Sequence, residues 1–153
     1  MLNRLVVSTA AAGGVLAVAA VAGGSLDLAG PGTIRVTDRL VKHVHVDGGD
    51  AGRGAGDLDF YRGLLFNRGI TPSPIGHSDI TCTNTGTGSK NCSGTFFLPK
   101  GKIMVSGVLA SQLFYEVAVV GGTRLYENAR GTLTVTALGG SPRRQFLLFR
   151  LTV

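Results

Sequence analysis

Between Val117 and Val135 the chain reads as strand, glycine corner, strand, and this stretch constrains the fold more than any other. Leu133, Val135 and Ala137 fall on one parity, while Thr132, Thr134 and Thr136 fall on the other. A period of two is the signature of a half-buried β-strand. Gly121 and Gly122 end the apolar run that precedes the corner, and Arg130-Gly131 opens the strand that leaves it. Glycine at such a bend admits a positive φ or a backbone approach that a side chain would block. The intervening residues are enough for one helical turn, expected to set Tyr126 and Ala129 against the core.

The same rhythm recurs along the chain. Ile34, Val36, Leu40, Val44 and Val46 share a parity, interrupted by Asp38 and Lys42; Arg35, Arg39, His43 and His45 take the other and are expected on a polar outer face. Extended segments follow at 57–66, 75–83, 92–98, 103–109, 112–120, 131–138 and 143–153. They are separated by glycine, proline and asparagine turns, and the glycine-rich 48–56 is expected to be a mobile loop. That makes about eight strands with antiparallel connections and no βαβ alternation. With 24 glycines and no tryptophan in 153 residues, the class is all-β and the size is that of one domain, placed at 33–153. Such strands must pack as a sandwich or close as a barrel, and periodicity alone leaves both open.

Residues 1–22 stand apart. One early positive charge, Arg4, precedes an alanine- and valine-rich run ending in Ala20-Val21-Ala22. This is the pattern of a secretory signal peptide. A retained membrane anchor is the competing reading, although the apolar run is short for spanning a bilayer and glycines punctuate it. Residues 23–32 read as a flexible leader. The expected location is therefore extracellular or in the cell envelope, with no stable membrane insertion after cleavage. The formal charge of +6 is spread singly, with Arg143-Arg144 as the one adjacent arginine pair. No basic helix or aromatic-basic interleaving points to nucleic acid.

Several pieces of the chain resemble the allene oxide cyclase barrel-like and dirigent-like proteins, in particular bacterial secreted members. Gly56-Asp57 with Phe60 is similar to the start of the family's second strand. Cys82, then Cys92 to Ile103 with its Gly-Thr-Phe strand and proline-glycine turn, resembles the family's hairpin. Ala118 to Thr123 and Ala129-Arg130-Gly131 match its corner. One departure is Arg124, which stands where the family has a third glycine, so the corner should be reshaped or strained there. The resemblance implies an antiparallel barrel of about eight strands, a cavity for one small hydrophobic ligand, and a homo-oligomer, dimer or trimer. Phe146 and Leu148, set against Leu147, Phe149 and Leu151, give the last strand apolar groups on both sides, which also suits a partner.

Chemistry-bearing residues are few. Cys82 and Cys92 flank a polar loop in a chain expected to be exported, which favours a disulfide over a metal site. His43-x-His45, with His77 as a third nitrogen, is the sharpest metal signal, but Arg35 and Arg39 beside it would repel a cation. No metal and no cofactor are expected. Neither a Gly-x-Ser-x-Gly elbow, a Walker loop nor a His-Glu-x-x-His helix occurs. Tyr115 and Glu116 are neighbours on one strand and point to opposite sides of its wall. If the mixed face is inside, with Phe114, then Glu116 becomes an acid or base in an apolar pocket. If the apolar face is inside, Tyr115 is the polar handle. Asp57, Phe114, Tyr126 and Arg150 are further ligand-binding candidates.

Two function classes follow. One is a cofactor-free, isomerase-like or cyclase-like protein that guides cyclisation or stereoselective coupling of a hydrophobic molecule by confinement. The other is a non-catalytic extracellular binding or structural module.

Overall fold

The computed structural model describes residues 32–49, 52–67, 72–86, 88–110 and 113–152. The expected signal peptide and nearly all of the expected leader lie outside these residues. Eight antiparallel strands close into one barrel in sequence order: β1 (Gly32–Val46), β2 (Leu58–Phe66), β3 (Gly76–Asn84), β4 (Lys90–Leu98), β5 (Gly101–Leu109), β6 (Phe114–Gly122), β7 (Arg130–Gly139) and β8 (Arg144–Thr152). The choice between sandwich and barrel is thus resolved. Closure falls to β1, whose 15 residues pair with β8 from Gly32 to Arg39 and with β2 from Thr37 to Val46. Because every strand has two neighbours, no edge is left for another chain to extend.

Strand parity decides which end is filled. Leu133 and Val135 on β7 lie beside Phe149 and Leu147 on the adjacent β8, all four buried in the interior, as the alternation of that stretch requires. Leu65, Phe96, Ile103, Leu133 and Phe149 are almost fully buried, and Phe96 meets Phe149 edge to face at 5.1 Å. Burying each such side chain stabilises the fold by about 1.5–3 kcal/mol. Toward the opposite end the inward positions carry Gly63, Ser78, Cys82 and Gly107 instead. Small residues there leave the barrel hollow above a solid base.

A bulge in β1 reverses one expectation. The register with β2 slips between Leu40 and Lys42, so Val36, Asp38 and Leu40 face inward below it while His43 and His45 face inward above it. Val44 and Val46 are consequently exposed, at 39% and 43%. The histidines are not on the outer face with Arg35 and Arg39, because one extra residue flips the side chains beyond it. His77, by contrast, is outside the barrel, stacked on Phe97 at 4.2 Å. Among the described residues no three His, Cys, Asp or Glu side chains are grouped to hold a metal ion.

At the closed end, β6 leads into a short 3-10 turn, Arg124–Tyr126, which lays half-buried Tyr126 and buried Ala129 against the core. Arg124 has φ +57°, the left-handed conformation that a glycine would adopt without cost. Arg124→Gly should therefore stabilise the protein by about 1 kcal/mol, read as a higher urea midpoint with an unchanged slope.

Cys82 and Cys92 sit directly opposite one another on β3 and β4 and are joined by a disulfide. Cross-linking this hairpin removes freedom chiefly from the unfolded chain. Replacing both cysteines by alanine should cost roughly 2–3 kcal/mol, and a reductant should lower the urea midpoint of the native protein but not of the double variant.

Candidate functional site

The hollow end is a cavity of about 480 Å³. Its mouth is formed by the turns after β1, β3, β5 and β7, and its sides include Leu40, Ile80, Leu109, Tyr61 and His43. At its floor are Asp38, Ser78, Tyr115 and Gln145. Asp38 lies opposite Gln145 in the β1–β8 register, and Tyr115 enters from β6. Below them begins the packed core, with Val117, Leu133 and Val135.

Asp38 is the unusual residue. It is 7% exposed; Ser78 Oγ donates a 2.7 Å hydrogen bond to its Oδ2, while Oδ1 has no hydrogen-bond partner among the described residues. Burial pushes its carboxyl up to about 6, against the opposing pull of the Ser78 hydrogen bond. Gly63, opposite Leu40 on β2, is what lets the carboxylate lie there: a Cβ at that position would come within 1.8 Å of Oδ1. Burial also pushes the Tyr115 hydroxyl up to about 12, despite a hydrogen bond with Gln145. The floor therefore combines an acid that changes protonation near neutrality with a phenol that stays protonated, a pairing suited to proton transfer.

A second polar group lines the wall nearer the mouth. Asp59 is 2% exposed; it accepts hydrogen bonds from His43 at 2.7 Å and His45 at 3.0 Å, and it is ion-paired with Lys90. Burial would raise the Asp59 carboxyl, but the hydrogen bonds from Lys90, His43 and His45 outweigh it and hold the group well below the ordinary carboxylate range. Burial likewise works against the Lys90 ammonium, yet Asp59 and Tyr61 together raise its pKa. His43 stacks flat on Tyr61 at 4.5 Å, so the wall presents an aromatic surface to the cavity.

Of the residues expected from sequence, Tyr115 faces the cavity and Glu116 faces solvent, because the apolar parity of β6 is the inner one. Glu116 instead accepts a 2.8 Å hydrogen bond from Thr134 and lies 3.9 Å from Arg150 on the outer surface. Phe114 is also outside, 56% exposed. Asp57 is buried, but it accepts the amide hydrogens of Gly54 and Gly48 and so shapes the loop after β1. Those bonds hold its carboxyl below the usual range. Tyr126 lies at the closed end. Arg130 donates to the carbonyls of Val120 and Ala129, tying the corner together. Asp38, Ser78, Gln145, Tyr61 and Lys90 were not singled out from sequence. The available signal for Asp38 was its place between Val36 and Leu40, a charge on an otherwise core-facing parity.

No protein-family model matches the sequence, and a search of the curated proteins finds no match either. Solved structures do share its architecture. A pyocyanin demethylase superimposes with a TM-score of 0.66 at 22% identity, over 78% of this chain and 99% of that one. A pterocarpan synthase dirigent protein superimposes with a TM-score of 0.64 at 14% identity, over 80% and 84%. The Diels Alderase AbmU from Streptomyces koyangensis follows with a TM-score of 0.55 at 12% identity, over 78% and 69%. At such identities the likeness shows the fold alone, a closed eight-stranded antiparallel barrel that this chain shares with these neighbours.

Proposed function

We propose that the protein is an exported, cofactor-free barrel that takes one small, largely apolar molecule into its open half and guides an isomerisation, cyclisation or stereoselective coupling there. The observation that carries this reading is Asp38: a buried carboxylate with one unpartnered oxygen, beside the phenol of Tyr115, at the bottom of a cavity of ligand size. A structural module would have no use for such a group, because an unsatisfied buried acid costs stability. The cavity walls hold the ligand in one conformation, Asp38 accepts or returns a proton, and Tyr115 donates a hydrogen bond to oxygen as charge develops on it. Neighbours described as a dirigent protein and a Diels Alderase use the same architecture, which supports reactions directed by confinement. The disulfide suits an oxidising compartment outside the cytosol. The outward Phe146 and Leu148 remain our candidates for a contact between copies of the barrel.

Native mass spectrometry of protein purified from the cell that makes it tests this reading. A bound small molecule at one per chain, altered in structure when Asp38→Asn is expressed instead, supports guided chemistry. The same unaltered molecule on both forms would assign the protein to plain binding, and an empty barrel in every preparation would contradict the ligand altogether.

A further inference from the structure

Resting on this reading of the cavity, we propose that Tyr115 and Gln145 act as a depth stop, so that the site takes compact, ring-shaped apolar molecules and turns away straight alkyl chains longer than the hollow. The barrel interior holds two spaces rather than one. Beneath the hollow of about 480 Å³ lies a second space of about 20 Å³, bordered by Phe96, Val105, Val117, Leu133, Val135 and Leu147. That is room for one methyl-sized group. Four side chains border both spaces: Ile80, Leu109, Tyr115 and Gln145. Ile80 and Leu109 belong to the walls. Tyr115 from β6 and Gln145 from β8, joined by a hydrogen bond, form the partition.

The partition is held in place. Tyr115 packs against the buried core cluster and pairs with Val135 of β7, while Gln145 stands opposite Ala137 and Asp38. A ligand tail swings the ring aside only by breaking the hydrogen bond and giving up those core contacts. Interiors are normally filled, yet here an apolar gap lies directly below the ring, so the ring itself ends the cavity. Removing it would join the two spaces into one deeper channel lined by valine and leucine. Selection by length follows. Each methylene that enters apolar surroundings adds a similar increment of affinity, and one left in water beyond a full hollow adds none. A compact ring system lying along the wall of Tyr61 and His43 buries its whole surface above the stop.

Straight-chain alcohols measure the depth, because the hydroxyl stays hydrated at the mouth while the tail enters. Their displacement of phenylnaphthylamine, a neutral fluorescent probe, from the purified protein should tighten about fourfold per added methylene, then stop gaining at the length where the tail meets Tyr115. Tyr115→Ala should carry the gain about two carbons further, and Tyr115→Phe, which keeps the ring, should leave the break where it is. Removing a ring that packs on the core costs stability, so circular dichroism accompanies the titrations. If Tyr115→Ala does not fold, Gln145→Ala takes its place and should move the break by about one carbon. A break at the same length in the parent and in the folded variant, or no break through dodecanol in the parent, would overturn the stop while leaving the cavity reading intact. Failure of the probe and of every alcohol to bind would count against the cavity reading itself.

Discussion

Asp38→Asn should make the protein more stable at neutral pH, by about 2–3 kcal/mol, while removing whatever proton transfer the cavity performs. The sign follows from the direction of the shift. The carboxyl titrates near 3.8 in the unfolded chain and near 6 in the folded one, because burial disfavours its charged form. The folded state thus holds the proton more tightly, and stability falls as pH rises from about 4 to about 6, then levels off. Asparagine keeps an oxygen for the Ser78 hydroxyl and carries no charge, so it escapes that loss. Urea unfolding at two pH values checks the expectation: the variant should gain stability at pH 7 and match the parent near pH 4. An equal effect at both would mean that the gain comes from packing rather than charge. Stability given up for a buried acid is the mark of a functional site, since structural positions are under no pressure to keep such a group.

The second large effect is expected at the corner. Gly131→Ala should destabilise the barrel by about 3 kcal/mol or more. Gly131 has φ +131°, and an added Cβ would stand 1.9 Å from the Arg150 carbonyl oxygen of β8. Neither the strand nor its neighbour can give way without losing the ladder between β7 and β8. Gly122 is constrained in the same way, its Cβ falling 2.1 Å from the Tyr126 carbonyl oxygen. Gly121 is different. An added Cβ there meets the terminal methyl of Met104 at 3.0 Å, a flexible group near the surface, so Gly121→Ala should cost less than about 1 kcal/mol. Thermal melts of the three variants would show two steep losses and one small one, whereas three similar values would mean that backbone proximity is not what selects glycine.

These contrasts show how far the sequence could be read. Alternation at Leu133, Val135 and Ala137 identified the inner face of β7 because its threonines are all on the other parity. The spacing and context of Cys82 and Cys92 sufficed for their pairing. β6 was ambiguous because apolar residues occupy both of its faces, so nothing local told Tyr115 from Glu116. His43 and His45 were placed outside because a period-two count has no means of seeing the bulge near Val41; only the pairing with β2 exposes it. Asp38 stood out only as an interruption of the apolar parity, for a related reason. An acid on a core-facing parity reads as noise until the small residues around it, Gly63 and Ser78 from two other strands, are seen to make room. Fold is written in local rhythm, whereas this site is assembled from several strands and depends on register.

The most direct measurement is the titration of the Asp38 carboxyl by carbon NMR, with and without phenylnaphthylamine bound. The acid at the floor of this cavity should titrate near pH 6 in the free protein and move higher when the probe displaces water above it. A midpoint near the ordinary carboxylate value, unmoved by the probe, would contradict both the buried acid and the hollow it is proposed to serve.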